Sequence, residues 1–164
     1  GGANLHDFHA FTPTVANIRP TSRGEISISS SDTKVSPKIK MNYLSTDEDR
    51  KVAADGIRLI RKIVMETNEF KKYEPEEFRP GSHLNDKEEI VKACSHYAQT
   101  IFHPVGTCKM GSDESAVVSD KLKVHGLNKL RVIDASIMPN ITSGNTNAPT
   151  IMIAEKGADM ILSS

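Results

Sequence analysis

The 164-residue sequence contains no tryptophan, only two cysteines and no excess of charge of either sign. Two cysteines are too few for a disulfide framework. Because 21 basic residues balance 21 acidic ones, we expect no broad electrostatic attraction to nucleic acid or to an anionic membrane surface. No apolar run approaches the ~18 residues of a membrane-spanning helix, and the first residues do not resemble a signal peptide. The sequence therefore predicts neither a nucleic-acid partner nor a membrane span.

The composition is that of a globular chain, with 37% hydrophobic and 26% charged residues. A chain of this length can bury a core without disulfides or metals, and the length predicts one domain or slightly more. Few cysteines and a neutral charge balance favour a cytoplasmic location. The chain begins with Gly1-Gly2-Ala3 rather than Met, so we expect it to be a piece of a longer protein.

Residues 1–44 carry the alternation of apolar and polar residues that is typical of half-buried strands. Three short strands are predicted, at 15–18, 26–28 and 39–41. The connections between them are too short for parallel crossovers, so we predict an antiparallel arrangement.

Helical patterns follow this region. Ser45 and Glu48 form a predicted capping box, and Asn85 with Glu88 caps a second helix that should end near Phe102, before the following proline. Each helix has one apolar face, with members spaced by three or four residues: Ala53, Ile57, Ile60 and Val64 in the first, and Ile90, Cys94, Tyr97 and Ile101 in the second. Short strands are expected at 117–118, 124 and 130–133.

A third helix is predicted to begin at Asn147, with Pro149 in its first turn. Its expected buried residues are Ile151, Ala154, Ala158 and Ile161. The predicted fold class is therefore α+β, with an antiparallel sheet and packed helices.

The densest group of chemically interesting residues surrounds His103, which is followed by Pro104. Imidazole exchanges a proton near neutral pH, and a histidine with little backbone freedom suits the role of a general base. The alternative is a structural histidine that bonds a loop carbonyl, and spacing alone favours that alternative.

Metal binding is not predicted. Cys94, His96, His103 and Cys108 lie at intervals of two, seven and five residues, which match no common zinc pattern.

A second group lies at the start of the third helix, around Asn147 and Ala148. Free backbone amides and the positive end of the helix dipole would stabilise an anion there. The alternative is an ordinary asparagine cap in a strand-to-loop connection, and propensity alone favours that alternative.

Three segments in order resemble the C-terminal signature of the glucose–methanol–choline (GMC) oxidoreductases, which are flavoproteins that oxidise alcohols. They are H-P-V-G-T-C-K-M-G at 103–111, V-V-S-D-K-L-K-V-H-G-L-N-K-L-R-V-I-D-A-S-I-M-P at 117–139 and S-G-N-T-N-A-P-T-I-M-I-A-E-K-G-A-D-M-I at 143–161. Two upstream segments, R-P-T-S-R-G-E-I-S-I at 19–28 and M-N-Y-L-S-T-D-E-D at 41–49, are similar to the bacterial alcohol and choline dehydrogenase branch.

The family's N-terminal G-x-G-x-x-G segment, which holds the ADP half of FAD, has no counterpart in these residues. The resemblance therefore implies the C-terminal part of a longer enzyme, whose N-terminal FAD-binding part would be a partner of this chain. Residues 1–103 would form part of the substrate-binding domain, with its antiparallel sheet and helices. Residues 104–164 would form the closing segment of the FAD-binding domain.

The resemblance also implies roles for individual residues. His103 would take the hydroxyl proton of a small-molecule alcohol, and Asn145 would bind the alcohol oxygen while hydride passes to FAD. The residues implied near the cofactor are Thr146, Asn147 and Ala148 at the flavin edge, and Asp134 and Ala135 beside its ribityl and phosphate region.

Several alternatives stay open. The enzyme could be a choline dehydrogenase or an oxidase that uses oxygen, and the chain could instead be a non-catalytic binding module. Choline requires an aromatic or acidic site for its ammonium group, and the few aromatics favour an uncharged aliphatic alcohol. For the 164-residue chain on its own we expect no bound FAD and no activity. Its exposed flavin-facing surface would allow copies of the chain to associate, so a homo-oligomer stays open as an alternative.

Overall fold

A computed structural model describes residues 6–163 of the chain. It contains two strands, four α-helices and one short 3₁₀ helix. In chain order these are β1 (Glu25–Ser27), β2 (Lys38–Lys40), α1 (Asp47–Glu66), α2 (Asn68–Lys71), α3 (Lys87–Tyr97), the 3₁₀ helix (Ala135–Ile137) and α4 (Asn147–Leu162). The predicted α+β class is confirmed, and none of the described helices combines the length and apolarity needed to cross a membrane.

The sheet is a single antiparallel pair, in which Ile26 of β1 lies opposite Ile39 of β2. Both strands fall where the alternation predicts them. The strand predicted at 15–18 is wrong, because this segment has no strand partner among the described residues. Val15 lies instead against the backbone of Gly56 in α1, where a Cβ atom would come within 2.9 Å of its methyl groups. Val15 therefore packs on a helix rather than in a sheet.

Helix α1 begins one position later than the predicted capping box requires. The Thr46 hydroxyl, and not that of Ser45, accepts a hydrogen bond from the Asp49 amide at 3.3 Å. The Asp49 carboxylate accepts from the amides of Thr21 at 2.9 Å and Ser22 at 2.8 Å. This carboxylate therefore holds the segment that leads into β1.

Helix α3 shows the same offset, because Asp86 replaces the predicted Asn85 as its cap. The Asp86 carboxylate accepts from the Glu88 amide at 2.8 Å. The helix ends at Tyr97, well before Phe102. The prediction of a longer helix is wrong, and Ile101, its last expected apolar position, lies exposed beyond the helix end.

The chain forms two compact units, each of which is discontinuous in sequence. One contains the described residues up to 17 together with 50–97, and its most buried apolar residues are Ala54, Ile90, Val91 and Ala93. The other contains 18–49 and 98–164. Its core consists of Val118, Leu122, Ile137, Met138 and Ile153. The strands predicted around this core are reduced to single bridges, such as Val118 with Val124.

Helix α4 begins at Asn147, so Thr146 and not Asn147 is its N-cap residue. The predicted buried face is wrong: Ile151, Ala154, Ala158 and Ile161 are exposed, whereas Ile153 and Gly157 are buried. A Cβ atom at Gly157 would lie 2.4 Å from the Ile133 side chain. The missing side chain lets the helix approach the core on this face, which hydrophobicity alone did not indicate.

Candidate active site

His103 lies in a loop whose backbone is constrained on both sides. Phe102 has a φ of 62°, in the left-handed region that bulky residues rarely adopt. Its amide donates to the Thr100 hydroxyl at 3.0 Å. Pro104 follows, and it restricts the backbone of the residue before it. The histidine is therefore presented by a short segment with little conformational freedom.

The residues after His103 are hydrogen-bonded to the segment of the 3₁₀ helix. The Cys108 amide donates to the Ser136 carbonyl at 3.0 Å, and the Met110 amide donates to the Ile137 carbonyl at 2.8 Å. Gly106 has a φ of 89°, and a Cβ atom there would lie 3.3 Å from a backbone carbonyl oxygen. This glycine therefore permits a turn that brings the histidine loop against the core.

The imidazole of His103 contacts Thr146 at the start of α4. Its Nδ1 atom lies 2.9 Å from the Thr146 hydroxyl oxygen, and the Thr146 amide donates to the same nitrogen at 3.4 Å. Thr146 is only 7% exposed, while His103 is half-buried. Two segments that are 43 residues apart in sequence therefore meet at this contact.

The other ring nitrogen of His103 is open. Among residues 6–163, Nε2 has no hydrogen-bond partner, and no buried side-chain nitrogen or oxygen atom is left without one. Since Nε2 has no partner, it must reach solvent. The ring thus has one nitrogen held by the protein and one nitrogen available to a ligand.

Asn145 directly precedes Thr146, so it adjoins the histidine contact in the sequence. Its side chain is exposed and has no hydrogen-bond partner in the described part of the chain. Ser143, two residues earlier, has a φ of 61°. The carboxamide therefore lies on a bent loop, where it is free to bind a ligand.

The first turn of α4 presents two backbone amides that the described residues leave unpaired. The Thr146 side chain makes no capping bond to its own helix. The Thr150 amide donates to the Thr146 carbonyl at 3.1 Å. The amides of Asn147 and Ala148 donate to no acceptor within residues 6–163. Both residues are exposed. A helix of 16 residues with a free first turn favours an anionic or electron-rich group at this end.

Asp134 and Ala135 have structural contacts of their own. One carboxylate oxygen of Asp134 accepts hydrogen bonds from the Ser136 amide, at 2.8 Å, and from the Ser136 hydroxyl. The Asp134 side chain thereby caps the 3₁₀ helix. Ala135 packs against the core. The exposed Asp134 keeps its second oxygen available.

The cysteines and the acidic residues do not suggest further chemistry. Burial raises the pKa of the Cys94 thiol, which makes it a poor nucleophile. Hydrogen bonds from Ser115 and Lys109 hold the pKa of Asp113 well below its usual range. Within residues 6–163, no group of three or more histidine, cysteine or acidic side chains is arranged to hold a metal ion.

All seven predicted site residues belong to the unit formed by 18–49 and 98–164. The structure brings His103 against the segment that begins α4, which contains four of them. The Thr146 side-chain contact was not predicted from the sequence. The only available signal was the position of a threonine at a helix start, and such a residue ordinarily caps its own helix.

Comparisons with known proteins identify the family. A family model described as GMC oxidoreductase matches residues 20–154. The oxygen-dependent choline dehydrogenase of Proteus mirabilis is 46% identical over 160 residues, which is 98% of this chain and 29% of that protein. The enzyme of the same description from Acinetobacter baumannii gives the same identity and coverage.

Solved structures agree in fold. A pyridoxine 4-oxidase from Mesorbium loti superposes with a TM-score of 0.82 and 35% identity, over 90% of this chain and 28% of that one. A variant formate oxidase from Aspergillus oryzae, studied for FAD modification, superposes with a TM-score of 0.79 and 32% identity, over 94% of this chain and 29% of that one. An FAD-dependent oxidoreductase from Chaetomium thermophilum superposes with a TM-score of 0.82 and 30% identity, over 89% of this chain and 25% of that one.

The fold and these matches agree with the flavoprotein family that the sequence motifs resemble. The chain belongs to the GMC oxidoreductase family. It spans about 29% of the length of the choline dehydrogenases that it matches.

Proposed function

We propose that this chain is the part of an FAD-dependent enzyme that oxidises an alcohol to an aldehyde, with His103 as the general base. The observation that carries the proposal is the state of the imidazole. Its Nδ1 atom is held at 2.9 Å by Thr146, while Nε2 has no partner within residues 6–163. A base needs such an oriented ring with one nitrogen open to the proton that it takes.

The residues at the start of α4 fit a flavin. The unpaired amides of Asn147 and Ala148 offer donors at the positive end of the helix, which suits a ring edge that gains negative charge on reduction. In our proposal the Asp134 and Ala135 segment lies beside the ribityl and phosphate region. When it is bound, FAD supplies the acceptor for the hydride.

The side chains then divide the work on the alcohol. A hydroxyl proton is too weakly acidic to leave unaided, and the carbon gives up hydride readily only when the oxygen is negatively charged. His103 accepts the hydroxyl proton at Nε2. The Asn145 carboxamide donates a hydrogen bond to the developing oxyanion without competing for the proton, as an oxyanion-hole donor does. The product is the aldehyde.

The arrangement in domains is also part of the proposal. Residues 1–103 contribute to the substrate side and residues 104–164 to the flavin side. The segment that holds the ADP half of FAD lies outside these residues, so the purified 164-residue chain should show no flavin absorbance band.

The test is the rate of flavin reduction by alcohol under anaerobic conditions, in the full-length enzyme that carries this chain. His103→Ala should lower the rate by about 10²–10⁴, the usual contribution of a general base, and should retain bound flavin. His125→Ala is the matched control, because the His125 ring is exposed and its one bond within residues 6–163 is to the Gly111 carbonyl. A near-normal rate in His103→Ala would remove that residue from the role of base.

Choline is the specific alcohol that the relatives favour, since the two choline dehydrogenases are 46% identical over 98% of the chain. The discriminating comparison is kcat/KM for choline against 3,3-dimethylbutan-1-ol, which has the same shape without the charge. A preference for choline of tenfold or more supports a quaternary ammonium site. Equal values support an uncharged aliphatic alcohol.

A further inference from the structure

We propose that α4 has a second face on which the N-terminal FAD-binding part of the same polypeptide packs in the whole enzyme. This face, the outer stripe, consists of Ile151, Ala154, Ala158 and Ile161, with Leu162 at the end of the helix. The inference rests on the proposed arrangement in domains, in which residues 104–164 belong to the flavin side. It adds the surface through which that side is completed.

The outer stripe has the spacing of a buried helix face. Its first four members follow one another at intervals of three, four and three residues, so they lie along one side of the helix. In this chain the stripe is exposed: the exposed fraction is 55% for Ile151, 49% for Ile161 and 85% for Leu162. A contiguous apolar surface of this kind typically marks an interaction site.

The core of this chain does not use the outer stripe. Helix α4 contacts that core through Ile153 and Gly157, with Met160 beside them. This contact face is rotated from the stripe by roughly 120° around the helix axis, because successive residues turn by about 100°. The remaining side carries the charged residues Glu155, Lys156 and Asp159. A helix with two apolar faces and one charged side is built to pack on two partners.

The position of the stripe favours the N-terminal part of the enzyme as the second partner. The chain spans about 29% of the length of the choline dehydrogenases that it matches. The stripe begins one helical turn after Asn147, whose unpaired amide we assign to the flavin edge. The segment that holds the ADP half of FAD lies outside these residues, so one cofactor bound by both parts brings that segment to α4. A second copy of the chain has no such reason to lie there.

The size of the side chains fits a close contact. Ala154 and Ala158 lie one turn apart in the middle of the stripe, and helices approach most closely where the side chains between them are small. The stripe carries no charge, so it suits an apolar partner surface. A larger apolar residue at position 154 would keep this character and push the partner away.

Cysteine labelling in the full-length holoenzyme tests whether the stripe is covered. Ala158→Cys and the control Lys156→Cys, on the charged side of α4, are treated with a maleimide, and mass spectrometry follows the peptide that carries each new thiol. We expect Ala158→Cys to react at least about tenfold more slowly in the native enzyme, and both variants to react alike in urea. Equal native rates would overturn the proposal.

Photo-cross-linking in the same enzyme identifies what covers the stripe. With Ile151 replaced by p-benzoylphenylalanine, we expect a cross-link within one polypeptide, to a peptide that lies N-terminal to this chain. A cross-linked dimer on a denaturing gel would assign the face to a second copy and contradict the proposal.

The flavin content of the purified enzyme gives a third readout. Ala154→Leu should lower the bound flavin per polypeptide about fivefold or more, because the partner can no longer approach. Lys156→Leu, which adds the same side chain to the charged side, should keep its flavin. A full flavin content in Ala154→Leu would contradict the proposal, and the labelling and cross-linking decide the question if that variant does not fold. None of these readouts uses turnover, so they are independent of the His103→Ala result.

Discussion

Arg61 and His103 are both partly buried polar residues that join distant parts of the chain, yet their hydrogen bonding differs. Every nitrogen of the Arg61 guanidinium has a partner. Nε and Nη2 bind the two carboxylate oxygens of Glu77, each at 2.9 Å, and Nη2 also reaches the Gly81 carbonyl at 3.0 Å. Nη1 donates to the Leu84 carbonyl at 2.7 Å. Four of the five guanidinium N–H donors are therefore used by neighbouring groups, as in a structural cluster.

His103 is only half satisfied. One ring nitrogen contacts Thr146 and the other has no partner among residues 6–163. A polar group with a protein partner on every nitrogen stabilises a fold, whereas a ring that is held at one nitrogen and open at the other is suited to chemistry. The comparison predicts that Arg61 variants change stability, and that His103 variants change the reaction.

The largest effect on stability is expected from Arg61→Ala. It leaves the Glu77 carboxylate, whose side chain is 12% exposed, without its cation, and a broken buried pair typically costs about 3–5 kcal/mol. Urea unfolding measures the loss. Lys51→Ala on the same helix is the control, because the Lys51–Asp55 pair is exposed and should contribute little. Equal changes in the two variants would show that the Arg61 cluster is not a structural centre.

Asp49→Asn should have the next largest effect. Burial raises the pKa of this carboxyl, but hydrogen bonds from Ser22 and Thr21 outweigh it, so the pKa lies below its ordinary value. The stabilisation is therefore complete above the ordinary pKa of about 3.9 and is lost as pH falls through the lower folded value. We expect Asp49→Asn to lower the free energy of unfolding by about 1–3 kcal/mol at pH 7.

Urea unfolding at pH 7 and pH 3 tests this expectation. The difference in free energy of unfolding between wild type and Asp49→Asn should narrow at the lower pH. Glu48→Gln, at an exposed position of the same first turn, should differ much less from wild type at pH 7. A gap that is constant with pH would mean that the charge of Asp49 does not contribute.

The smallest of the three effects is expected from Gly157→Ala. The added Cβ would lie 2.4 Å from Ile133 Cγ2, which is attached to a stiff β-branched side chain. Overpacking should outweigh the gain in helix propensity, for a net loss of about 1–2 kcal/mol. Gly144→Ala is the control, since no atom of the described residues would come within 4 Å of its added Cβ. Thermal unfolding that shows no loss at position 157 would contradict the packing of α4 described above.

Local patterns predicted α1, α3, α4 and the β1–β2 pair, though not the short α2, because capping residues and apolar spacing act within a few residues of the chain. They failed where the partner is distant in sequence. The residues at 15–18 alternate like a strand, but they pair with no strand among the described residues and Val15 packs on α1. The apolar residues of α4 lie on more than one side, so its buried face depended on the fit between Gly157 and Ile133.

The candidate site shows the same division. Family motifs pointed to His103 and to the residues around Asn145. They did not indicate that the Thr146 side chain would contact the ring, because that contact spans 43 residues and requires the histidine loop and α4 to come together on one core.

The most direct test of the central claim, that His103 removes the hydroxyl proton, uses a series of alcohols of increasing hydroxyl acidity in the full-length enzyme. The ratio of the flavin reduction rates of wild type and His103→Ala isolates the contribution of the base, since substituent effects on hydride transfer cancel. The ratio of the wild-type rate to the His103→Ala rate should fall steadily as the alcohol becomes more acidic, because a more acidic hydroxyl depends less on a general base. A ratio that stays constant across the series would contradict the account.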